Sequence, residues 1–142
     1  MARIVLDQVN LVVDDMAATS AFYRELGLEI DAGPMPEWEP HHVSARTADG
    51  ADVDIDSVAF AAVWNTGSKG AGVVLGFRVE SRDAVDELYE QLMAAGHAGQ
   101  QEPYDAFWGA RYAIVTDPSG NPVGLMSPVD PERRTPVPPP PS

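Results

Sequence analysis

A strand followed by a helix occurs twice in this chain of 142 residues, at an offset of 66 positions. In the first copy, hydrophobic alternation over 4–13 leads to helical periodicity over 16–26, which Gly27 is expected to end. In the second copy, alternation over 73–79 is followed by a helix that Ser81 would cap. Such repetition predicts a fold built from two similar units. The residues that match at this offset include Val13 with Val79 and Tyr23 with Tyr89.

Each predicted helix is followed by three further strand candidates. They lie at about 28–31, 41–48, 51–56, 99–104, 110–116 and 122–126. Asp49-Gly50 predicts a hairpin turn in the first set, and the Asp-Pro-Ser-Gly-Asn sequence at 117–121 predicts one in the second. The sequence therefore predicts an α+β fold of two tandem βαβββ units, about 3–65 and 72–127, within one domain over 1–127.

Four segments depart from this repeat. Residues 33–40 form a proline-rich loop that contains Trp38, and 57–65 have apolar side chains at helical spacing, which predicts a short helix. Residues 66–72 are predicted to link the units. The tail at 128–142 is rich in proline, so we expect it to be disordered or polyproline II and dispensable for the fold.

The doubled unit, the Ala-Phe-Tyr-Arg-Glu-Leu-Gly-Leu helix exit at 21–28 and the turn at 117–121 together resemble the vicinal oxygen chelate superfamily. This superfamily includes glyoxalases, bleomycin-resistance proteins, fosfomycin-resistance enzymes and extradiol dioxygenases. The resemblance covers about residues 3–127. It implies that each unit curls its sheet into a half-barrel and that paired units enclose a cavity, often across a homodimer interface. We therefore expect a homodimer.

Enzymes of this superfamily usually bind a divalent metal through His, Gln or Glu at four strand positions. In this chain the matching positions hold Gln8 and Asp54 in the first unit, and Val74 and Gly124 in the second. Valine and glycine side chains cannot coordinate a metal, and one glutamine with one aspartate is a poor transition-metal site. The resemblance therefore implies no metal cofactor, although a histidine at 41–42 on another strand remains an alternative ligand.

Strand alternation predicts which side chains face the trough between the units. Since the odd positions of the first strand face the helices, its even positions face the trough. Asp52 and Asp56 share a face with Asp54, and we expect them at the solvated ends, with Asp56 or Ser57 capping the short helix. The trough side chains predicted in this way are Gln8, Asn10, His42, Asp54 and Tyr112, with Arg78 able to neutralise a carboxylate.

Four aromatic side chains outside the long helices are candidates for the walls of the trough. Trp38 lies in the proline-rich loop, and Phe107 and Trp108 lie in the loop before a predicted strand. Trp64 ends the short helix and could equally pack under the sheet. Aromatic side chains in loops are less readily explained as core than those on helical stripes. With Asp54 they would suit a planar or cationic ligand through stacking and cation–π contacts.

Charge and composition exclude several classes of function. The net charge of −13 disfavours binding to nucleic acid and to anionic membranes. Cysteine is absent, which removes disulfides and thiolate chemistry. No apolar run approaches the ~18 residues of a membrane span, and the N-terminus lacks a signal-peptide pattern. These features predict a cytoplasmic protein.

Two main functions remain open on the sequence. The first is a metal-free protein that resembles bleomycin-resistance proteins and sequesters a small aromatic or cationic compound. The alternative is a lyase, isomerase or dioxygenase of the same superfamily, either metal-dependent through Gln8 and Asp54 or using Asp54 as a base. A third possibility is an interaction module whose proline-rich tail recruits a partner.

Overall fold

The computed structural model describes residues 4–33, 35–47 and 50–139, which form an eight-stranded open sheet and three α-helices. The α+β class predicted from the sequence is confirmed. In chain order the elements are β1 (Val5–Val13), α1 (Met16–Leu26), β2 (Ile30–Asp31), β3 (His42–Ala45), β4 (Asp52–Ser57), α2 (Val58–Trp64), β5 (Gly72–Arg78), α3 (Arg82–Ala94), β6 (Ala98–Asp105), β7 (Arg111–Thr116) and β8 (Pro122–Met126), with short 3₁₀ helices at Pro36–Trp38 and Pro131–Arg133.

Local sequence explains where the helices begin and end. The Asp15 carboxylate and the Ser81 hydroxyl accept first-turn N–H groups of α1 and α3, and Gly27 ends α1 with a φ of 113°. The short helix α2 is capped by Ser57, so the alternative cap at Asp56 is wrong. None of the helices in the described residues has the length and apolar character needed to cross a membrane.

The two halves of the chain meet at the centre of the sheet. The strand order is β2-β3-β4-β1-β5-β8-β7-β6, and β1 pairs with β5 in antiparallel fashion. Val9 lies opposite Leu75 in this pairing, and these residues are separated by the same 66 positions as the strand–helix pattern. The pairing of β1 with β5 therefore brings equivalent positions of the two halves of the chain together. Asp49 of the expected hairpin turn lies outside the described residues.

The strand pairing within the first half has the same register as the strand pairing within the second half. His42 lies opposite Asp56 in β3 and β4, and Tyr112 lies opposite Met126 in β7 and β8, each member 70 positions further along. The faces that look away from α1 and α3 therefore carry matching positions with different chemistry. The first half supplies Gln8, Asn10, His42, Ser44, Asp54 and Asp56, where the second supplies Val74, Gly76, Tyr112, Ile114, Gly124 and Met126.

Hydrophobic side chains form three buried clusters. One cluster lies under α1 around Val43 and Ile55, and a second lies under α3 around Val85 and Leu125. The third, on the opposite face of the sheet, joins α2 to the aromatic side chains of the second half. This third cluster includes Trp38, Phe60, Trp64, Tyr112 and Ile114, with Phe107 and Trp108 packed against it.

The tail differs from the expectation of disorder. Asp130 N donates to Gly109 O at 2.9 Å, and Thr135 N donates to Phe107 O at 3.1 Å. Proline lacks an N–H group, but the residues between the prolines retain theirs and use them to bind the loop before β7. The part of the tail over 128–135 therefore packs on the domain.

Candidate functional site

A cavity of about 330 Å³ lies on the sheet face opposite α1 and α3. Strands β1, β3 and β4 form one wall, and β7, β8, α2 and the loop before β7 form the other. Eight of the ten side chains predicted for the site line this cavity: Gln8, Asn10, His42, Asp54, Trp64, Phe107, Trp108 and Tyr112.

The structure places the other two predicted residues elsewhere. Trp38 is 2% exposed and packs edge-on against Phe60, with ring centroids 4.8 Å apart, so Phe60 lines the cavity in its place. The 3₁₀ turn folds Trp38 into the core, which loop position alone could not show. Arg78 ends β5, where its Nη1 lies 3.4 Å from Asp7 Oδ1. It therefore balances Asp7 and does not enter the cavity.

Asp56 lines the cavity, although the sequence analysis placed it at a solvated end. It is 1% exposed, and its carboxylate accepts from His42 Nδ1 and from Asn10 Nδ2, the latter at 3.4 Å. Gln8 Nε2 donates to Asn10 Oδ1 at 2.8 Å, which extends the network to the edge of the cavity. Alternation placed Asp56 on the correct face, but only the β3–β4 register shows that it lies opposite His42.

The protonation of His42 reflects these neighbours. Burial lowers the pKa of the imidazole, while the hydrogen bond to Asp56 and the negative charges of Asp56 and Asp54 raise it. The net result is a pKa above its ordinary value. His42 therefore favours the charged form that pairs with Asp56.

Asp54 lies in a different environment on the same strand. Its Oδ1 accepts a hydrogen bond from Ser44 Oγ at 2.7 Å. Burial raises the pKa of Asp54; the Ser44 hydrogen bond opposes this, and the nearby Asp56 charge adds to it. The net direction is upward, so the ionised carboxylate is poorly compensated by its surroundings.

Charge pairing distinguishes Asp54 from the other carboxylates that line the cavity. Three of the four have a cationic partner: Asp7 with Arg78, Asp52 with Arg46, and Asp56 with His42 when the ring is protonated. Within residues 4–33, 35–47 and 50–139, Asp54 has no such partner. Among the described carboxylates of the cavity, Asp54 is therefore the one whose charge has no ion-pair partner.

The opposite wall is aromatic. Tyr112 is at its centre, with the rings of Trp108 and Trp64 at centroid distances of 5.4 and 6.2 Å in edge-on geometry. Trp108 Nε1 contacts Met126 Sδ at 3.2 Å, which orients the indole. Burial raises the pKa of the Tyr112 phenol, so it stays neutral at physiological pH. The cavity thus has one polar, acidic wall and one apolar wall.

The four positions that hold a metal in related enzymes do not fit one here. Val74 is buried and offers no donor atom. A Cβ at Gly124 would lie 2.8 Å from the Tyr112 hydroxyl, so tyrosine fills the space that a glutamate side chain would need. The remaining two, Gln8 and Asp54, hydrogen-bond to other side chains. The described residues contain no group of three or more His, Asp or Glu side chains arranged to hold a metal ion.

Comparison with known proteins gives the family. The family model of the Glyoxalase/Bleomycin resistance protein/Dioxygenase superfamily matches residues 5–125. The chain therefore belongs to this superfamily, and the resemblance inferred from the helix exit and turn is confirmed. No curated protein matches the chain.

Solved structures show the same fold at low sequence identity. An NAD-dependent benzaldehyde dehydrogenase from Legionella pneumophila has a TM-score of 0.65 and 18% identity, over 84% of this chain and 96% of its own. The Mn(II)-bound glyoxalase from Novosphingobium aromaticivorans has a TM-score of 0.64 and 22% identity, over 91% of this chain but 40% of its own. The E323L mutant of homoprotocatechuate 2,3-dioxygenase from Brevibacterium fuscum has a TM-score of 0.63 and 19% identity, over 89% of this chain and 33% of its own.

Proposed function

We propose that the protein binds and sequesters a small aromatic compound that carries a positive charge, without a metal. The observation that carries this proposal is the position of Asp54, which faces the cavity opposite the aromatic wall around Tyr112 and forms no ion pair with the residues that the structure describes. Bleomycin-resistance proteins belong to the same superfamily, which is consistent with sequestration.

The physical reason for a cationic ligand is charge compensation. A carboxylate removed from water is stabilised by a cation at hydrogen-bond distance, and such charge-assisted contacts are stronger in a partly desolvated site. Trp108 and Tyr112 would hold the flat part of the ligand by edge or face contacts. The net charge of −13 would raise the local concentration of cations around the protein. A volume of about 330 Å³ suits a small ligand.

A matched series of ligands tests this proposal. We would titrate 1-naphthylmethylamine, 1-naphthalenemethanol and 1-naphthoate against the protein at two salt concentrations, and follow Trp fluorescence and heat of binding. The amine should bind at least about tenfold more tightly than the carboxylate, and salt should reduce this preference. Equal affinity for the three compounds, or the tightest binding by naphthoate, would contradict the proposal.

Asp52→Asn provides a matched control for Asp54→Asn. Both aspartates lie on β4 and line the cavity, but Asp52 is ion-paired with Arg46. Removing the Asp54 charge should abolish the preference for the amine, whereas removing the Asp52 charge should preserve it. Loss of the preference in both variants would mean that overall acidity, rather than Asp54, selects the ligand.

A second candidate function is acid–base catalysis, and one observation favours it. Ser44 Oγ lies 2.7 Å from Asp54 Oδ1 and 3.4 Å from His42 Nε2, so a hydroxyl bridges two titratable groups. Asp54 as base and His42 as acid could move a proton between two atoms of a carbonyl compound. Exchange of the α-hydrogens of phenylacetone in D₂O, measured by NMR, tests this. Exchange above the buffer rate that Asp54→Asn abolishes would favour the enzyme over the binding protein.

We propose further that the chain consists of two tandem βαβββ units and forms a homodimer. The matched registers at offsets of 66 and 70 positions support the two units. An apolar strip on the helix side of the central strands supports the dimer, because Leu6, Val73 and Leu75 are all exposed there. The strip lies between the areas that α1 and α3 cover, where a second copy would bury it.

A further inference from the structure

The loop that carries Phe107 and Trp108 is bound by the tail on its outer side. We call residues 105–110 the aromatic loop and residues 128–135 the strap. Three successive carbonyl groups of the aromatic loop accept hydrogen bonds from the strap. These bonds join Thr135 N to Phe107 O at 3.1 Å, Arg134 Nε to Trp108 O at 3.4 Å, and Asp130 N to Gly109 O at 2.9 Å.

We infer that the strap is a positioning element that holds the aromatic loop in the conformation that forms the apolar wall of the cavity. Its start is anchored in the core, where the buried Ser127 accepts a hydrogen bond from Arg111 N and donates one to Pro128 O. Val129 of the strap itself lines the cavity. The strap therefore links the core of the second half to the wall that faces Asp54.

Gly109 shows how closely the two segments approach each other. Its φ of 96° favours glycine, and a Cβ at this position would lie 2.4 Å from Asp130 O and 3.2 Å from Arg134 Cγ. The aromatic loop thus accommodates the strap at a position where any side chain would displace it. Such fit between segments about 20 residues apart is difficult to explain if the tail is only a solvated end.

Within the loop, the remaining backbone contacts are few. Ala106 N donates to Ala110 O, and Gly109 N donates to Ala106 O, which closes a tight turn without fixing its direction. Arg82 adds a longer contact to Gly109 O at 3.4 Å. Without the strap, part of the loop backbone would have to be ordered when the ligand binds, which weakens binding.

A pair of point substitutions tests the strap without shortening the chain. Thr135→Pro removes the N–H group that binds Phe107 O, and the preceding Arg134, with φ −64° and ψ 138°, already has a conformation that suits a following proline. Thr135→Ala keeps the N–H group and is the control. Amide exchange of Ala106 and Gly109, measured by NMR, should accelerate about tenfold in Thr135→Pro and remain unchanged in Thr135→Ala.

Two truncated variants provide a second, independent test of the strap. Removal of residues 136–142 keeps every strap contact described above, whereas removal of residues 130–142 deletes all three hydrogen bonds to the aromatic loop. The longer deletion should shift and broaden the Trp108 indole resonance and leave that of the buried Trp38 in place, a pattern that general loss of structure would not produce. Unchanged loop exchange and an unchanged Trp108 resonance in both the longer deletion and Thr135→Pro would overturn the inference.

The affinity measurement rests on the proposed function, whereas the amide-exchange measurement does not. With 1-naphthylmethylamine as probe, affinity should fall about tenfold in the 130–142 deletion and stay at the wild-type value in the 136–142 deletion. If the wild-type protein fails to bind the amine, the proposed ligand class is wrong, and loop exchange still decides the role of the strap. Faster loop exchange with unchanged affinity for a probe that does bind would overturn the link between strap and cavity.

Discussion

The Tyr112 hydroxyl lies over Gly124, so close that a Cβ on the glycine would be 2.8 Å from the phenolic oxygen. In the first half of the chain, the matching positions are His42 and Asp54, which both carry polar groups toward the cavity. The first half therefore has titratable side chains at these two positions. In the second half, the same positions hold an aromatic side chain and the glycine that leaves room for it. This difference between matching positions explains why the cavity has two chemically different walls.

Substitution of Gly124 should show that this contact is tight. Gly124→Ala should lower the free energy of unfolding by about 1–3 kcal/mol, because the added methyl group forces the buried Tyr112 ring to move. In a Tyr112→Phe background, which lacks the hydroxyl, the same substitution should cost less. Denaturant unfolding of the four proteins measures this coupling, and additive effects would show that the two residues do not compete for space.

Metal analysis should find no stoichiometric ion. The protein purified without chelator is expected to contain less than about 0.2 equivalents of manganese, iron, nickel or zinc, since the four positions provide only Gln8 and Asp54 as ligands. Addition of a chelator should leave the melting temperature unchanged. One equivalent of bound metal, with loss of stability on chelation, would instead favour a metal-dependent enzyme.

Much of the fold could be predicted from the sequence because it depends on local patterns. Alternation located β1, and the helical periodicity together with the stop residue Gly27 gave the bounds of α1 correctly. Alternation also gave the side of the sheet on which Asn10 and Asp54 lie. These signals act over a few residues, so they are visible without the tertiary structure.

The errors concern contacts between distant segments. The partnership of His42 with Asp56 depends on the β3–β4 register, and no residue near either of them reveals it. Trp38 was expected at the cavity because it lies in a loop, yet that loop packs it behind Phe60. The tail was expected to be disordered or polyproline II, because a high proline content indicates the absence of helix or sheet, but it does not indicate the absence of packing.

The oligomeric state can be tested through the apolar strip. We expect a dimer at tens of micromolar by sedimentation velocity, and Leu75→Lys should weaken it more than tenfold, because a charge would be placed in an apolar contact. Val137→Lys changes an exposed apolar side chain of the tail and is the control. A wild-type protein that sediments as a monomer would contradict the dimer, and a Leu75→Lys dimer would place the interface elsewhere.

The His42–Asp56 pair should make stability depend on pH. The folded-state pKa of His42 is raised above its usual value of about 6.5, so the protonated ring contributes stability below that pH and the contribution is lost as pH rises through the folded-state pKa. The free energy of unfolding should therefore decrease across this range in the wild type, and less so in His42→Gln. His97→Gln, at an exposed histidine, should behave like the wild type. If the free energy of unfolding depended on pH equally in all three proteins, the pKa of His42 would not be raised.

Removal of the Asp54 charge should have opposite effects on the stability of the fold and on the binding of a cationic ligand. Its folded-state pKa is raised mainly by burial, so the folded protein binds more protons than the unfolded chain between the usual value of about 3.8 and the folded-state pKa. Ionisation of Asp54 thus opposes folding, and the full penalty is present above the folded-state pKa. Asp54→Asn can still accept the Ser44 hydrogen bond without carrying charge. Its melting temperature at pH 7 should therefore equal or exceed that of the wild type.

The same substitution should weaken binding of the cationic probe. Loss of a charge-assisted contact of about 1.5–3 kcal/mol corresponds to a decrease in affinity of roughly ten- to a hundredfold. In the wild type, affinity for 1-naphthylmethylamine should fall as pH drops through the pKa of Asp54, because protonation removes the charge that the amine compensates. Calorimetric titrations between about pH 4 and pH 8 measure this change in affinity. This range includes the ordinary pKa values of a carboxyl group and an imidazole, about 4 and 6.5. An affinity that is independent of pH, or an Asp54→Asn variant that binds the amine normally, would remove Asp54 from the site.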